Sequence, residues 1–235
     1  MSTILAIETS ADLASAALLH NGAVTVRESA GVVNHSQTIL PMVQALLNDA
    51  GIALSACDAL AFGSGPGSFT GVRTACGIAQ GLAFGADMPL LPIVTLQALA
   101  QSCHEQSGAN DVLAIVDARM GEVYWAQYRF AGEWQIVIAP TLSVAAEVAP
   151  IGDVLACGNG LKAYESDFSA RAFFTMQWAH LVPHAAQVAT LGAHAFVQGL
   201  GVTAAAAEPL YLRNKVALTT SERLAKVAGT LKETA

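Results

Sequence analysis

Short apolar runs closed by turn residues alternate along this chain with longer stretches of helical period, a pattern that predicts an α/β fold. Residues 3–7 are apolar and stop at Glu8-Thr9-Ser10, so they read as a buried strand. Residues 14–19 and 23–27 flank His20-Asn21-Gly22, and Asn-Gly between apolar segments specifies a hairpin. The chain therefore opens as a three-stranded meander. Ile39, Leu40, Val43, Leu46 and Leu47 then fall on one stripe of a helix, with Ser36 as its expected cap and Gly51 as its stop. Pro41 is expected in the first turn or so, where a missing N–H matters least. Strands at 59–62 and 90–94, a helix at 69–84 between them, and a third helix from a Thr95 cap to about Cys103 complete a βββαβα unit.

The second half repeats the plan. Residues 112–116 form an apolar strand ending in Asp117, residues 122–130 return after a turn at Gly121, and residues 134–138 add a third strand. A short helix at 144–148 and a strand at 154–157 follow, running into Gly158-Asn159-Gly160. Glu8 and Asp117 occupy equivalent strand ends. Two copies of one unit imply a duplicated α/β fold, with two lobes and an intervening cleft. The expected division is an N-terminal lobe over 1–105, a smaller lobe of similar topology over 106–212, and a tail over 213–235.

Composition narrows the class. Of the 235 residues, 54% are hydrophobic and 12% charged, which excludes a disordered chain. The longest uncharged stretch, 172–207, is broken by His180, Pro183, His184 and His194 and draws most of its apolar character from alanine. No membrane span is expected from it. The first basic residue is Arg27, so no secretory leader is expected. Cys57, Cys76, Cys103 and Cys157 form no CxxC and read as reduced, buried thiols of a cytoplasmic protein. The net charge of −7 is uneven: residues 1–212 hold 16 acids against 6 bases, whereas 213–235 hold 2 against 5. An acidic body repels nucleic-acid phosphates. Only the tail, with Arg213, Lys215, Arg223, Lys226 and Lys232, is built to attract them, and a solvated terminus is its plainer reading.

The most distinctive stretch is Gly63-Ser64-Gly65-Pro66-Gly67-Ser68-Phe69-Thr70-Gly71, after a strand and before a helix. Backbone N–H groups of such a loop can converge on a phosphate at a helix N-terminus. Gly63, Gly65, Gly67 and Gly71 equally suit a tight crossover turn that needs positive φ and close packing. The stretch fits neither the dinucleotide fingerprint nor the Walker pattern, and it lacks a nucleophile elbow. Gly77, Gly81 and Gly85 recur on one face of the next helix, allowing close approach of another element. Arg73 in its first turn opposes the helix dipole, so an acidic partner, an anion or a solvent-directed side chain is expected. Glu8 and Asp117, with Asp12 four residues beyond Glu8, are candidates for holding Mg²⁺ or water; accepting backbone N–H bonds is their simpler use. His180 and His184 have metal-helix spacing, but Pro183 argues that a helix starts there. No nucleophile triad follows from His20, His35, His104 or His194.

Ile4-Leu5-Ala6-Ile7-Glu8-Thr9-Ser10, the segment from Ala61 to Arg73, and Val116-Asp117-Ala118-Arg119-Met120-Gly121-Glu122-Val123-Tyr124 closely resemble the TsaB (YeaZ) family, as does Glu208-Pro209-Leu210-Tyr211-Leu212-Arg213. The resemblance covers nearly the whole chain. It implies the fold of actin-like ATPases and sugar kinases, and a bacterial pathway that places N6-threonylcarbamoyl on adenosine 37 of tRNAs reading ANN codons. It implies a non-catalytic paralogue of the TsaD transferase, which carries an H-x-x-x-H metal motif after the strand matching 90–94. Here that place reads Pro92-Ile93-Val94-Thr95-Leu96-Gln97-Ala98-Leu99-Ala100, without histidine. Nitrogen ligands being absent, no metal and no other cofactor is expected. The family's older description as a peptidase finds no protease constellation in these residues.

The partners implied are TsaD in a heterodimer, TsaE through the complex, tRNA only within it, and a second copy when the protein is alone. The contact would be a four-helix interface, with Leu40, Val43, Leu47, Val72, Arg73, Cys76, Gly77 and Gln80 as candidates. Packing on the chain's own sheet competes for the same side chains. The alternatives are a small ATP-binding kinase or ATPase using the glycine loop, Glu8 and Asp117, and an RNA-binding module using the tail.

Overall fold

The structure, a computed structural model, describes residues 2–29 and 35–213. Strands β1 (Ile4–Glu8), β2 (Ser15–His20) and β3 (Ala23–Glu28) form the expected meander, with Ile4 opposite Leu19 and Leu18 opposite Thr25. Asn21 and Gly22 both have positive φ, 51° and 80°, as the tight hairpin turn requires. Strand β4 (Ala59–Gly65) lies parallel to β1, and β5 (Leu90–Val94) lies parallel to β4. The five strands run in the order β3-β2-β1-β4-β5. A second sheet repeats this order one strand short, β8-β7-β6-β9, from β6 (Asp111–Arg119), β7 (Glu122–Phe130), β8 (Trp134–Val144) and β9 (Leu155–Cys157). The duplication expected from the sequence is therefore present, in reduced form.

Alternation along β1 sends side chains to two cores. Leu5 and Ile7 meet helices α1 (His35–Ala50) and α2 (Phe69–Ala86), while Ile4 and Ala6 meet α6 (Ala185–Val197) on the other face. Complete burial of each such side chain contributes roughly 1.5–3 kcal/mol. In the second sheet, Val112, Ala114 and Val116 pack on α3 (Thr95–Ser107), and Leu113 and Ile115 face the short helices α4 (Gly160–Ala163) and α5 (Glu165–Phe168). Space departs from chain order at both ends of this list. Helix α3 lies almost wholly before residue 106 yet packs mainly on the second core, whereas α6 returns to the first sheet, with Gly192 letting it approach Ala61.

Several local expectations change. Helix α1 already includes His35, so Ser36 stands inside the first turn, and the cap falls outside the described residues. Pro41 sits in the second turn, on the exposed side, where water can satisfy the carbonyl of Gln37. Thr95 does not cap α3: its hydroxyl accepts the Gly65 N–H at 3.0 Å, and Val94 stands at the cap position. The helix expected at 144–148 is a single 3₁₀ turn at Ala145–Glu147, because Thr141 and Leu142 still pair with Trp125 and Tyr124 and carry β8 to Val144. The four cysteines are free and buried, as expected.

The β1–α2 contact tolerates no added atoms. A Cβ on Gly71 would lie 1.9 Å from the Thr9 carbonyl oxygen, a backbone atom that cannot step aside. Gly71→Ala is expected to destabilise the fold by about 1–3 kcal/mol or more, read from the denaturant midpoint. A variant as stable as the parent would show that this contact is slack.

Candidate functional site

A cleft of about 330 Å³ opens between the lobes. Its first wall comes from the β1–β2 turn (Ser10, Ala11, Asp12) and the start of α2 (Gly67, Ser68, Phe69, Val72). The opposite wall comes from the end of β6 (Val116, Asp117, Ala118, Arg119) with Tyr124 and Asn159, and residues Leu210, Tyr211, Leu212 and Arg213 close one side. The equivalent strand ends picked out by the repeated sequence thus do meet at a cleft, though not as an acid pair.

The glycine segment is filled by the protein itself. A Cβ on Gly63 would strike the Glu8 carboxylate at 1.9 Å, and one on Gly67 would strike Ser10 Cβ at 2.7 Å. Gly65 has φ +103° and would press on Val72 and the Leu210 carbonyl. The four glycines therefore serve close packing and one positive φ; of them, Gly67 alone lines the cleft. Helix α2 keeps a side-chain cap, Ser68 Oγ accepting the Gly71 N–H at 3.4 Å.

Glu8 is fully buried and does not reach the cleft, contrary to its expected role beside Asp117. Its Oε1 accepts the Ser10 N–H at 2.6 Å, while Oε2 has no hydrogen-bond partner. Burial raises its pKa above the ordinary carboxylate value, outweighing the hydrogen bonds from Ser10 and Thr9 that lower it. Asp117 does line the cleft, and both oxygens are engaged. Oδ1 accepts the Arg119 N–H at 2.7 Å and the Tyr164 hydroxyl at 3.0 Å, and Oδ2 pairs with Arg119 at 3.1 Å. Asn159 accepts the Asp117 N–H at 3.0 Å. The bond to Asp117 and burial together raise the Tyr164 pKa, burial contributing most. Asp12 lines the cleft near its exposed rim.

Arg73 finds aromatic rings instead of an acid. Its guanidinium lies 3.7 Å from the Phe69 ring centre, and its Nε donates to the Tyr211 hydroxyl at 2.7 Å. No carboxylate pairs with it among the described residues. Tyr211 and Tyr164 were missed as site residues by the reading of motifs. The only signal for Tyr211 was its place in the family-like ending, and Tyr164 had none, because its position is set by α4 and α5.

The candidate interface residues divide by side. Val43, Leu47 and Cys76 belong to the core over the first sheet, Val72 is buried beside Gly65, and Gln80 donates to the carbonyls of Ala204 and Ala207. Leu40, Arg73 and Gly77 face outward. Gly77, Gly81 and Gly85 have nothing within 4 Å of an added Cβ, and Phe84 beside them is 85% exposed.

His180 and His184 do not share a helix. His184 caps α6, its Nδ1 accepting the Ala186 N–H at 3.1 Å, so Nε2 carries the proton donated to Glu28 at 2.8 Å. Among the described residues, no three His, Cys, Asp or Glu converge as metal ligands, and no helix is long and apolar enough to cross a membrane. Of the tail, Arg213 is described and pairs with Glu122; Lys215, Arg223, Lys226 and Lys232 lie outside the described residues.

Two βββ-led lobes around such a cleft define the actin-like ATPase class, and a family model described as TsaD, tRNA N6-adenosine threonylcarbamoyltransferase, matches residues 23–228. Within that class, a protein of Escherichia coli K12 named tRNA threonylcarbamoyladenosine biosynthesis protein TsaB is 39% identical over 221 residues, covering 91% of this chain and 96% of the relative. The protein of the same name in Haemophilus influenzae is 38% identical over 226 residues, covering 91% and 94%. A solved structure of YeaZ from Pseudomonas aeruginosa superposes with a TM-score of 0.81 at 41% identity, over 90% of this chain and all of that one. A second, described as an uncharacterized protein with similarity to peptidase YEAZ from the same organism, gives 0.82 at 40%, over 91% and 100%. The chain belongs to the TsaB (YeaZ) family.

Glu8 makes stability depend on pH in a specific direction. Because its pKa is raised in the folded chain, its contribution is fully present below the ordinary value of 4.5 and is lost as pH rises through the higher folded value. Glu8→Gln is expected to flatten that loss, seen as a smaller fall in unfolding free energy from pH 4.5 upward. Parallel pH profiles for parent and variant would contradict it.

Proposed function

We propose that this protein acts in the formation of N6-threonylcarbamoyladenosine at position 37 of tRNAs reading ANN codons, as a non-catalytic partner and activator of the TsaD transferase. The observation that carries the partner role is the outward side of α1 and α2. There Leu40 of α1 and Phe84 of α2 are exposed, and α2 carries a stripe of Gly77, Gly81 and Gly85 with open space above it. Two helices of a partner can approach such a stripe to backbone distance while burying the apolar side chains around it. The buried residues Val43, Leu47, Val72 and Cys76 support this surface from beneath, and Gln80 ties α2 to the segment at 204–207.

Two features support the absence of chemistry in this chain. The stretch from Pro92 to Ala100 offers no histidine to a metal. Asp117 has its oxygens taken up by Arg119 and Tyr164, leaving it poorly suited to holding Mg²⁺. The names of the two nearly full-length relatives support the pathway. TsaE joins through the complex, tRNA binds only within it because the body is acidic, and the free protein covers its apolar surface by pairing with a second copy in the cytoplasm.

Mixed at micromolar concentrations, the protein and TsaD are expected to coelute as a heterodimer in size-exclusion chromatography; separate peaks would sink the reading. Gly77→Leu should leave the isolated protein at least as stable, since leucine favours a helix more than glycine by about 0.5–1 kcal/mol. The same change should weaken the heterodimer at least tenfold by blocking close approach. Calorimetry with Mg-ATP on the protein alone should show no binding, whereas micromolar binding abolished by Asp117→Ala would favour an ATPase.

A further inference from the structure

The two lobes are joined in two different ways. Behind the cleft, α3 packs on β6 and β7 of the second sheet and also touches α6, β4 and β5 of the first. It contributes no residue to the cleft wall. At the cleft itself the lobes are joined at residues 181–185, where Leu181 packs on the second core, Pro183 lines the cleft and the Ala185 N–H donates to Ser15 Oγ at 2.9 Å, and by the ending of the chain, which is held by side-chain contacts on both sides. The first anchor of that ending is on the N-terminal lobe, where the Leu210 N–H donates to the Ser64 carbonyl at 2.7 Å and Tyr211 accepts from Arg73 while leaning on Phe69, ring centres 6.2 Å apart. Two residues later the chain is fastened to the other lobe. Arg213 pairs with Glu122 and donates to the Arg119 carbonyl at 3.3 Å, and Leu212 packs on the second core.

The anchored turn on the second lobe is itself unusual. Arg119 and Met120 have φ of 63° and 61°, and Gly121 follows at 84°, so three consecutive residues are left-handed. Two of them carry side chains that disfavour that region. Arg213 holds this turn from outside while Asp117 holds it from inside. We propose that residues 210–213 form a releasable clasp that fixes the separation of the lobes, with Arg73 as its release point. Arg73 suits that part because it is exposed at the start of α2 and holds Tyr211 through a single hydrogen bond and ring contacts. A group that engages the Arg73 guanidinium from outside frees Tyr211, loosens the strap and lets the lobes part about α3.

Hydrogen exchange read by mass spectrometry on the full chain tests it, through effects that cross the cleft. Arg73→Gln lies on the first lobe and touches nothing at residues 119–122, yet it should speed exchange of those amides about tenfold, as expected when one charge-assisted hydrogen bond is lost. Arg213→Gln should do the reverse, speeding exchange at Leu210 and at the start of α2. Tyr211→Phe keeps the ring and removes only the link to Arg73, so it should reproduce the Arg73→Gln pattern in a chain that folds normally. Effects confined to the lobe that carries the substitution, or no change in any of the three, would overturn the clasp.

Discussion

Everything at the cleft depends on how closely the start of α2 sits on the end of β1. The Thr9 carbonyl occupies the space where a Cβ of Gly71 would be, the Glu8 carboxylate occupies that of Gly63, and the Thr9 hydroxyl donates to the Gly71 carbonyl at 2.6 Å. A helix held at that distance has its first turn aimed at the neighbouring lobe, with Ser68, Phe69 and Val72 in the wall. The same contact seals Glu8 away from water and leaves one of its oxygens unpaired. A loop whose composition suits phosphate binding packs here against the end of β1 and the turn after it, whose atoms fill the space beside Gly63, Gly67 and Gly71.

The second lobe is the smaller partner in the duplication: among the described residues its sheet has four strands and β8 is followed by a single 3₁₀ turn, so the sheet depends on elements from elsewhere. Helix α3 supplies one face, and α6, although later in the chain, goes back to the first sheet. This exchange makes the two lobes interlock at the rear, whereas the cleft is spanned by a short strap of mixed polar and aromatic contacts. An arrangement firm on one side and light on the other suits a protein whose lobes respond together to what binds its surface.

Helices α1 and α2 each have two uses for their apolar and small residues, and burial separates them. Val43, Leu47 and Cys76 turn inward to Leu5, Ile7 and Phe62, while Leu40, Phe84 and the glycines at 77, 81 and 85 turn outward. Period alone marks both sets as non-polar. The outward set stands out once the sheet beneath has claimed the rest, and a stripe of glycine on a helix surface, costly in propensity, gains a reason when another backbone comes close.

What the residues themselves determined was local and repetitive: the strand at 4–8, the Asn21-Gly22 hairpin, the helices ending at Gly51 and running from Phe69, and a second round of the same order starting at Asp111. These follow from side-chain period and turn chemistry, which act over a few neighbours and so can be read along the chain. Family membership was legible for a similar reason, since the glycine segment and the Asp117–Tyr124 turn are continuous in sequence. Tertiary structure decided the remainder. Only packing could bury Glu8 yet leave Asp117 in the cleft, hand Thr95 to Gly65 in place of its own helix, give Arg73 a tyrosine 138 positions away, and return α6 to the first sheet. Each of those outcomes is fixed by competition for space and hydrogen bonds among segments far apart in the chain, and no window of sequence contains both competitors.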